Sequence, residues 1–480
     1  MKGFFRFVEQ HSFMLLVIFL TILSVLYSAL SIVRHMSFQS GGFDLGLYDQ
    51  AVWRFANLLV PYNTVKERLL FGDHLVLTLP LFGILFYIWN DVRTLLIVQA
   101  VVISFSAIPI YLVAKKRLTS SAMAALLAVI YSLFYGIQYG VYFDFHPIII
   151  GVAILAWLAY LWEFGKTKLF WITCILTLLT QENMGIAVSC LAAIFVFRKE
   201  FRKRAIIVGI LGIGYSLLAS KIIAQFSPIG FQYWPQFPAG PIDAVTRLFD
   251  SEEKRQVWLY SYSTFSFLPL FSPGALAAVL LDLSQYFVTG PEFSRMWSPF
   301  MHHRAILAPF LVLGTIDVLV FLKSKKINLT PIILGIFCVS MILQYVFHLP
   351  LNKLSKREFW AKEPWMLNTR RLMTSVPSDA SVATQQNLVP HLSHRKEIYI
   401  AWPRQHDIDS KPCGQSLCWW LDFGGKPDYL VVDTRPNQWL TQILESNENW
   451  LSAIANMEKT GDIVLKNQVG AAKLYQVHKP

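Results

Sequence analysis

Charged side chains are scarce in this sequence. Asp, Glu, Lys and Arg make up only 15% of its 480 residues, whereas soluble domains contain about 25%. Hydrophobic residues make up 55%, which excludes an intrinsically disordered chain, because disorder requires low hydrophobicity and high net charge. The two values together exclude an ordinary soluble enzyme. At roughly 20 residues per span, the chain has room for about ten transmembrane helices and a soluble module.

Cysteine is rare, and the common catalytic motifs are missing. Of five cysteines, Cys174, Cys190 and Cys338 lie in apolar runs, as buried thiols do. Cys413 and Cys418 have C-x4-C spacing without a second cysteine pair, which gives no support for a zinc ribbon. No Gly-rich phosphate loop, nucleophile elbow or His-Glu-x-x-His motif occurs. Any catalytic site must therefore be found from the placement of polar residues in the membrane map.

Acidic residues are outnumbered by basic ones, 30 against 42, which gives a net charge of +12. In a nucleic-acid-binding protein such an excess lies in basic faces or arms. Here much of it lies in short clusters between apolar runs, at 115–117, 166–168, 198–204 and 323–326. This distribution is typical of the positive-inside pattern of membrane proteins. We therefore expect no nucleic-acid partner.

Hydropathy and charge predict about eleven transmembrane helices, with the N-terminus in the cytoplasm and the C-terminus outside. All four basic clusters then face the cytoplasm. The apolar segment 75–89 is short and contains Pro80, so we interpret it as a re-entrant or interfacial helix, although a short true span remains an alternative. The predicted spans lie near 12–33, 94–114, 119–140, 147–163, 169–182, 184–197, 205–226, 258–272, 274–289, 305–322 and 328–349.

The map predicts two domains in a protein of the plasma or inner membrane. Residues 1–349 form the transmembrane domain, in which 34–93 is a first outer loop with amphipathic helices. Residues 350–480 form a small extracytoplasmic α/β domain, with an amphipathic helix at 437–457. Its short strands are predicted at 381–384, 397–400, 429–433 and 473–477.

The outer domain contains two pairs of residues with possible chemical roles, a cysteine pair and a histidine pair. Cys413 and Cys418 are predicted to form a disulfide bond, because on this map they lie in an oxidising compartment. His391 and His394 are a candidate ligand pair, but we favour a helix-end cluster without ligand-binding function.

Acidic and histidine residues fall repeatedly on the outer side of the map. Ionisable residues at membrane depth are costly and usually functional, so we expect these residues to line one outer cavity. They are Asp44 and Asp49 in the first outer loop, Asp73-His74 before the short apolar segment, Phe-Asp-Phe-His-Pro at 143–147, Gln181-Glu182-Asn183, and His302-His303-Arg304.

Two chemistries fit such a cavity. A carboxylate can act as general base toward an acceptor hydroxyl, and carboxylates with histidine can hold a divalent cation that neutralises a phosphate leaving group. Structural interpretations remain open. Asp44 and Asp49 are also suited to capping a helix, 143–147 to an aromatic-belt turn, 302–303 to the membrane interface, and Asp282 to helix packing.

These same residues carry a family resemblance that covers nearly the whole chain. Phe-Asp-Leu-Gly at 43–46, Asp49-Gln50, Asp73-His74, Gln99, the segment 143–147 and Gln181-Glu182-Asn183 resemble a family of uncharacterised prokaryotic integral-membrane proteins. That family is in turn similar to the GT-C glycosyltransferases. The later segments 376–382 and 429–433 resemble its outer soluble domain.

The resemblance implies a mainly α, GT-C-like membrane enzyme that transfers a sugar from a polyprenyl-phosphate donor to an acceptor on the outer face. The expected partners are this lipid-linked donor, membrane lipid and an unidentified acceptor. A transporter or flippase of a lipid-linked glycan and a non-catalytic assembly protein remain alternatives. The expected site consists of Asp44 as base with Asp49 second; His74, His303 and Arg304 at the phosphate; and Asp144, His146 and Glu182 at a divalent metal ion, Mg²⁺ or Mn²⁺.

Overall fold

The computed structural model describes residues 2–234, 236–407, 417–436, 438, 441 and 445–478, and its helices follow the apolar runs of the sequence. Short polar or glycine-containing turns separate the helices. The helices are α1 (Lys2–Met36), α2 (Leu47–Ala56), α3 (Pro80–Phe86), α4 (Arg93–Phe105), α5 (Ala107–Leu118), α6 (Ser121–Ser132), α7 (Tyr135–Tyr142), α8 (Pro147–Glu163), α9 (Thr167–Leu178), α10 (Met184–Val196), α11 (Arg202–Phe226), α12 (Pro241–Thr246), α13 (Glu252–Ser263), α14 (Pro273–Phe287), α15 (Leu307–Ser324), α16 (Leu329–Val346), α17 (Arg357–Trp360), α18 (Pro364–Met373) and α19 (Asn447–Thr460).

Helical segments occur at all eleven predicted spans. Five stretches within the described residues are long and apolar enough to cross a membrane, and a sixth is added if α6 and α7, which meet at 44°, form one broken span. The apolar helices α8, α9 and α10 are shorter. Segment 75–89 contains only the seven-residue α3, which begins at Pro80, a residue suited to a first helical turn. The long stretches are 9–36, 93–118, 202–226, 302–324 and 329–346.

The chain divides into two compact units. The first comprises residues 1–31, 71–78 and 96–356, and the second comprises 32–70, 79–95 and 357–480. Most of the first outer loop thus belongs to the same unit as the C-terminal segment, whereas the sequence map grouped that loop with the spans. Buried apolar side chains explain this division, because Phe38 and Val65 of the loop share one hydrophobic cluster with Leu388 and Val389.

Small residues allow close helix packing in the first unit. A Cβ atom at Gly185 of α10 would lie 2.3 Å from the Gly212 carbonyl oxygen of α11, and the reverse distance is 2.4 Å. Ser189 Oγ donates a hydrogen bond to the Gly209 carbonyl oxygen at 2.8 Å. Such close backbone approach is a common basis of helix association in membranes.

A further close approach fixes the segment that carries the 302–304 motif. A Cβ atom at Gly136 of α7 would lie 2.4 Å from the Arg304 carbonyl oxygen. Gly136 is buried. A side chain at this position would displace the backbone of the motif, so the glycine positions part of the candidate site.

The second unit is built on a six-stranded mixed sheet, ordered β5-β4-β3-β6-β8-β7. The central strand β3 pairs in parallel with β4 and β6, and the outer pairs are antiparallel. A two-stranded hairpin, β1–β2, lies in the first outer loop. The strands are β1 (Tyr62–Asn63), β2 (Arg68–Leu69), β3 (Val382–Thr384), β4 (Ile398–Asp407), β5 (Leu417–Phe423), β6 (Tyr429–Asp433), β7 (Ile463–Val469) and β8 (Ala472–Val477).

Four of the sheet strands, β3, β4, β6 and β8, coincide with the predicted ones. The predicted helix 437–457 corresponds to α19, which begins at Asn447 after the capping residue Ser446 and ends before Gly461, whose φ is +79°. Residues 437, 439, 440 and 442–444 lie outside the described part of the chain. The ends of α19 follow the ordinary capping preferences for serine and glycine.

The cysteines fall into two classes. Cys418 is disulfide-bonded, whereas Cys174, Cys190 and Cys338 carry free thiols. Cys413, the partner expected from the sequence, lies outside the described residues. Cys418 lies in strand β5, within the domain that the charge pattern predicts to lie outside the cytoplasm.

Membrane orientation gives the first testable prediction. A reporter fused after Pro480 should be active only in the form that requires an extracytoplasmic location, because the basic clusters between the apolar runs favour the cytoplasm. Paired fusions of alkaline phosphatase and a fluorescent protein measure this directly. Activity of the cytoplasm-only reporter at this position would contradict the orientation.

Candidate functional site

A buried glutamine holds the turn that contains Asp144 and His146. Gln99 of α4 donates from Nε2 to the Asp144 carbonyl oxygen at 2.8 Å and accepts the backbone N–H of His146 on Oε1 at 2.7 Å. Asp144 has a φ of +138°, a conformation that non-glycine residues rarely adopt. Such strain persists only where the surroundings enforce it and is common at functional sites. Gln99 supplies that restraint.

Three histidine rings lie in contact next to this turn. The ring centroids of His146 and His302 are 3.6 Å apart with the planes inclined by 17°, and those of His302 and His303 are 4.0 Å apart. Tyr286 of α14 faces His303 at 4.8 Å. The Nδ1 atoms of His302 and His303 are buried and have no hydrogen-bond partner within the described chain. Buried nitrogen atoms of this kind are suited to a polar ligand.

Glu182 is hydrogen-bonded to a histidine. Its Oε1 lies 2.8 Å from His74 Nδ1, and its Oε2 accepts the Leu75 backbone N–H at 3.1 Å. Ser216 Oγ donates to the Glu182 carbonyl oxygen at 2.6 Å. The carboxylate is therefore fixed at both oxygens, and it orients the imidazole of His74.

Arg304 is fully buried. Its guanidinium donates to the carbonyl oxygens of Ser298, at 3.2 Å, and Met296, and its Cζ lies 5.3 Å from the ring centroids of Tyr286 and Phe287. Its Nη1 atom has no hydrogen-bond partner among the described residues. A buried guanidinium with a donor to spare is suited to binding a phosphate oxygen.

Tyr286 was not among the predicted site residues. Its hydroxyl accepts a hydrogen bond from Asn183 at 3.0 Å, and its ring contacts His303 and Arg304. Its position four residues after the buried Asp282 puts both on one face of α14, the only local signal that points to it. Asp282 accepts a hydrogen bond from Gln285 at 3.0 Å.

In the second unit, Asp49 is fully buried and makes specific hydrogen bonds. It accepts from Ser393 Oγ at 2.5 Å and from His394 Nε2 at 2.9 Å. The adjacent Gln50 exchanges hydrogen bonds with Thr64, whose hydroxyl bonds both backbone groups of Ile398. Asp49 therefore anchors α2 within its unit.

Asp44 differs from Asp49 in its surroundings. It is half-buried, in a helical turn, Gly42–Gly46. Cβ atoms at Gly42 and Gly46 would lie 3.0 and 2.7 Å from side-chain atoms of Val389, so both glycines let the turn approach the sheet domain. The turn is fixed by its backbone, and the Asp44 side chain keeps partial access to solvent.

The Asp49–His394 pair predicts a pH dependence of stability. Burial lowers the pKa of His394, but the Asp49 carboxylate raises it by more than burial lowers it. The pKa of His394 therefore lies above its ordinary value. The protonated ring thus stabilises the folded state fully below about pH 6.5, and this stabilisation is lost as the pH rises through the raised value. We expect the melting temperature to fall as the pH rises from about 6.5 through the raised pKa of His394. In Asp49→Asn the melting temperature should depend less on pH over the same range.

The matched control for this titration is His406→Gln. His406 also contacts a carboxylate, that of Asp422 at 2.8 Å, but both side chains are partly exposed. Exposed pairs contribute little to stability, so the profile of this variant should follow that of the unsubstituted protein. A flat profile in the unsubstituted protein would contradict the assigned role of His394.

The predicted metal ligands do not form a metal site in this structure. Among the described residues, no group of three His, Cys, Asp or Glu side chains is arranged to hold a metal ion. Glu182 is paired with His74, and His146 stacks on His302. The residues present do not fit the Mg²⁺ or Mn²⁺ site proposed from Asp144, His146 and Glu182, and no chemical step is assigned to a metal here.

The candidate residues are divided between the two units. The first unit contains a cluster formed by the 143–147 turn, His302, His303, Arg304 and Tyr286, and it also contains the Glu182–His74 pair. Asp44 and Asp49 belong to the second unit. A cavity shared by Asp44 and Asp144 stays a prediction.

The fold places this chain in a known structural class. It resembles the crystal structure of ArnT from Cupriavidus metallidurans bound to undecaprenyl phosphate, with a TM-score of 0.51, 10% sequence identity, and coverage of 96% of this chain and 97% of ArnT. The apo state of the same protein gives a TM-score of 0.46 at 10% identity, over 94% and 97% of the two chains. The protein is therefore a mainly α membrane protein with a GT-C-type fold.

The sequence also defines the family. The family described as predicted membrane protein (DUF2079) matches residues 34–453, and the chain belongs to it. No curated protein matches the chain. The resemblance noted from the sequence is confirmed at the level of family and fold.

Proposed function

We propose that this protein is a membrane glycosyltransferase that transfers a sugar from a polyprenyl-phosphate donor to an acceptor. The observation that carries the proposal is the buried Arg304 beside His302 and His303, with nitrogen atoms that lack partners among the described residues. A cationic, desolvated cluster of this kind is suited to a phosphate group. The GT-C-type fold supports the same assignment, since ArnT, which shares it, has been crystallised with undecaprenyl phosphate.

The proposed reaction is a displacement at the anomeric carbon of the sugar. The bond between this carbon and the phosphate oxygen breaks, and a bond to the acceptor oxygen forms. The acceptor proton passes to the carboxylate of Asp44, and the lipid phosphate leaves with the electron pair of the broken bond. Arg304 and His303 stabilise the charge on the leaving phosphate, where electrostatic stabilisation has its largest effect.

The other candidate residues position these groups. Glu182 orients His74 through the hydrogen bond at 2.8 Å, so His74 presents its second nitrogen in a defined direction. Gln99 fixes the turn that holds His146, and His146 supports His302 by ring stacking. Asp49 holds α2 and thereby the turn that precedes it, which contains Asp44. None of these three roles requires a metal ion.

Binding of the reaction product tests the proposal without knowledge of the sugar. Undecaprenyl phosphate should raise the melting temperature of the purified protein in detergent, whereas undecaprenol, which has the same chain without phosphate, should not. At a ligand concentration 100 times the dissociation constant, the expected stabilisation is about 2.7 kcal/mol. Equal responses to the two lipids would show that the chain is bound without recognition of phosphate, which would contradict the proposal.

A further inference from the structure

A cavity lies wholly within the second unit, and none of the residues that line it is assigned above to the reaction. Its volume is about 440 Å³. Its walls come from the end of α1, the residues that precede α4, helix α18 and the segment after β3. The lining residues that carry charge or a titratable ring are His35, Asp91, Arg93, Arg370, His391, His394 and Arg395.

The cavity has an excess of positive charge. Three guanidinium groups line it against one carboxylate, and that carboxylate, Asp91, is already bound at both oxygens by Arg93, at 2.8 and 2.7 Å. Arg395 donates to the carbonyl oxygens of Leu392 and Ala380, at 2.7 and 2.9 Å, so its charge is not neutralised by these contacts.

Several polar nitrogen atoms in the cavity are buried and lack a partner among the described residues. They are His35 Nδ1, His391 Nε2 and Arg370 Nε. The His35 side chain is 2% exposed, and its ring stacks on that of His391 with the centroids 4.1 Å apart. Buried polar atoms are normally hydrogen-bonded. An unpartnered, nearly inaccessible imidazole in a cationic cavity therefore indicates a ligand.

Electrostatics within the cavity agree with this view. Burial lowers the pKa of His391 well below its ordinary value, and His35 and Arg370 lower it further. Burial and Arg93 likewise lower the pKa of Arg370. Both shifts arise because positive charge is desolvated here without an opposing charge. An anion in the cavity would supply that charge.

The position of the cavity indicates the source of the anion. His35 and Met36 end the first candidate membrane span, and Arg93 begins the second. Span ends lie at the depth of lipid headgroups, to which long basic side chains near helix ends extend. Phosphate is the anion that headgroups present there, and arginine binds it through two parallel hydrogen bonds.

We propose that this cavity binds a phosphate group, with the Arg370 guanidinium as its charged donor and the rings of His35 and His391 beside it, as a site separate from the one for the sugar donor. A lipid headgroup and soluble phosphate share this chemistry. The proposal does not depend on the enzymatic function proposed above, because none of these residues is assigned to the reaction.

The test uses the full-length protein in detergent and three probes: dihexanoyl phosphatidic acid, inorganic phosphate and dihexanoyl glycerol. Native mass spectrometry and melting temperature report binding. We expect the phosphatidic acid to bind and the uncharged glycerol lipid not to bind. Binding of the phosphatidic acid alone assigns the site to a lipid headgroup, and additional binding of inorganic phosphate assigns it to soluble phosphate. Failure of both phosphate probes would overturn the proposal.

Substitutions locate the binding. Arg370→Gln should weaken binding of the phosphate probe about tenfold or more, as expected for loss of a charge-assisted hydrogen bond, and Arg370→Lys should retain part of it. The control is Arg371→Gln, because Arg371 is exposed on the same helix and does not line the cavity. Equal affinities in Arg370→Gln and Arg371→Gln would overturn the assignment.

A second substitution covers the case in which Arg370→Gln does not fold. Thr374 directly follows α18, is exposed and lines the cavity. Thr374→Glu adds a negative charge at the rim and should abolish phosphate binding, whereas Ser375→Glu, at an exposed position outside the cavity, should not. Undiminished binding in Thr374→Glu would overturn the proposal. Arg304→Gln should leave this binding intact, which separates failure at this site from failure at the catalytic one.

Discussion

Asp44→Asn is expected to lower the turnover of the lipid-linked donor by about 10²–10⁴-fold while leaving the protein folded. The amide nearly keeps the shape of the carboxylate, but it cannot accept the acceptor's proton. Asp44 is half-buried in a turn that the backbone holds, so the substitution should change the melting temperature little. The measurements are the initial rate of polyprenyl-phosphate release and the melting temperature of the same preparation.

Asp49→Asn is the matched control, because it makes the same chemical change five residues along. Asp49 is fully buried and accepts hydrogen bonds from Ser393 and His394. Its loss should reduce the free energy of unfolding by roughly 1–3 kcal/mol, with a smaller effect on turnover. Full activity in Asp44→Asn would end its assignment as base. A loss of stability in Asp44→Asn without a loss of rate would indicate a structural role.

Arg304→Gln should have the second large effect, on phosphate binding and on stability together. The substitution removes the charge and leaves the carbonyl oxygens of Met296 and Ser298 without their donor. Each buried group left without its partner costs about 1–3 kcal/mol. Affinity for undecaprenyl phosphate should fall about tenfold or more, since hydrogen bonds to charged groups contribute about 1.5–3 kcal/mol.

Two further variants separate the two effects. Arg304→Lys keeps the charge, so it should retain more affinity than Arg304→Gln, but the ammonium lacks the planar fork of the guanidinium. Arg295→Gln removes a charge from an exposed residue of the same region and should change neither property. If Arg304→Gln remains folded and binds undecaprenyl phosphate with unchanged affinity, Arg304 does not contact the phosphate.

Those parts of the fold that depend on local sequence patterns could be predicted from the sequence. Apolar runs and basic clusters located helical segments at every predicted span, and alternating strand patterns located β3, β4, β6 and β8. Helix ends were less well placed: residues 119–140 were predicted as one span but form two helices that meet at 44°. The membership of the first outer loop in the second unit was not predicted, because it depends on apolar contacts distant in sequence, such as those of Phe38 and Val65.

In the candidate site, too, residue types could be predicted from local sequence, but contacts between distant residues could not. The sequence indicated His74, His146, Glu182 and Arg304 because ionisable residues interrupt or flank apolar runs. It could not indicate that Glu182 bonds to His74, or that Asp49 bonds to Ser393, which is 344 residues away. These pairs exist only when the chain has folded.

The metal hypothesis illustrates why residue type alone is insufficient. Carboxylates and histidines on one side of a membrane are the right donors for a divalent cation. Their geometry decides whether they converge, and here His146 stacks on His302 while Glu182 binds His74. His146 and Glu182 are thus engaged in other interactions, and the proposed function therefore relies on Arg304 and the histidines next to it.

Release of polyprenyl phosphate from a purified donor tests the central claim most directly. The unsubstituted protein is incubated with a panel of undecaprenyl-phosphate sugars and membrane extract as the source of acceptor, and the free lipid phosphate is quantified. We predict release with at least one donor, and loss of this release in Asp44→Asn. Binding of the donors without release of phosphate, together with their movement intact across a vesicle membrane, would contradict the account and favour a flippase.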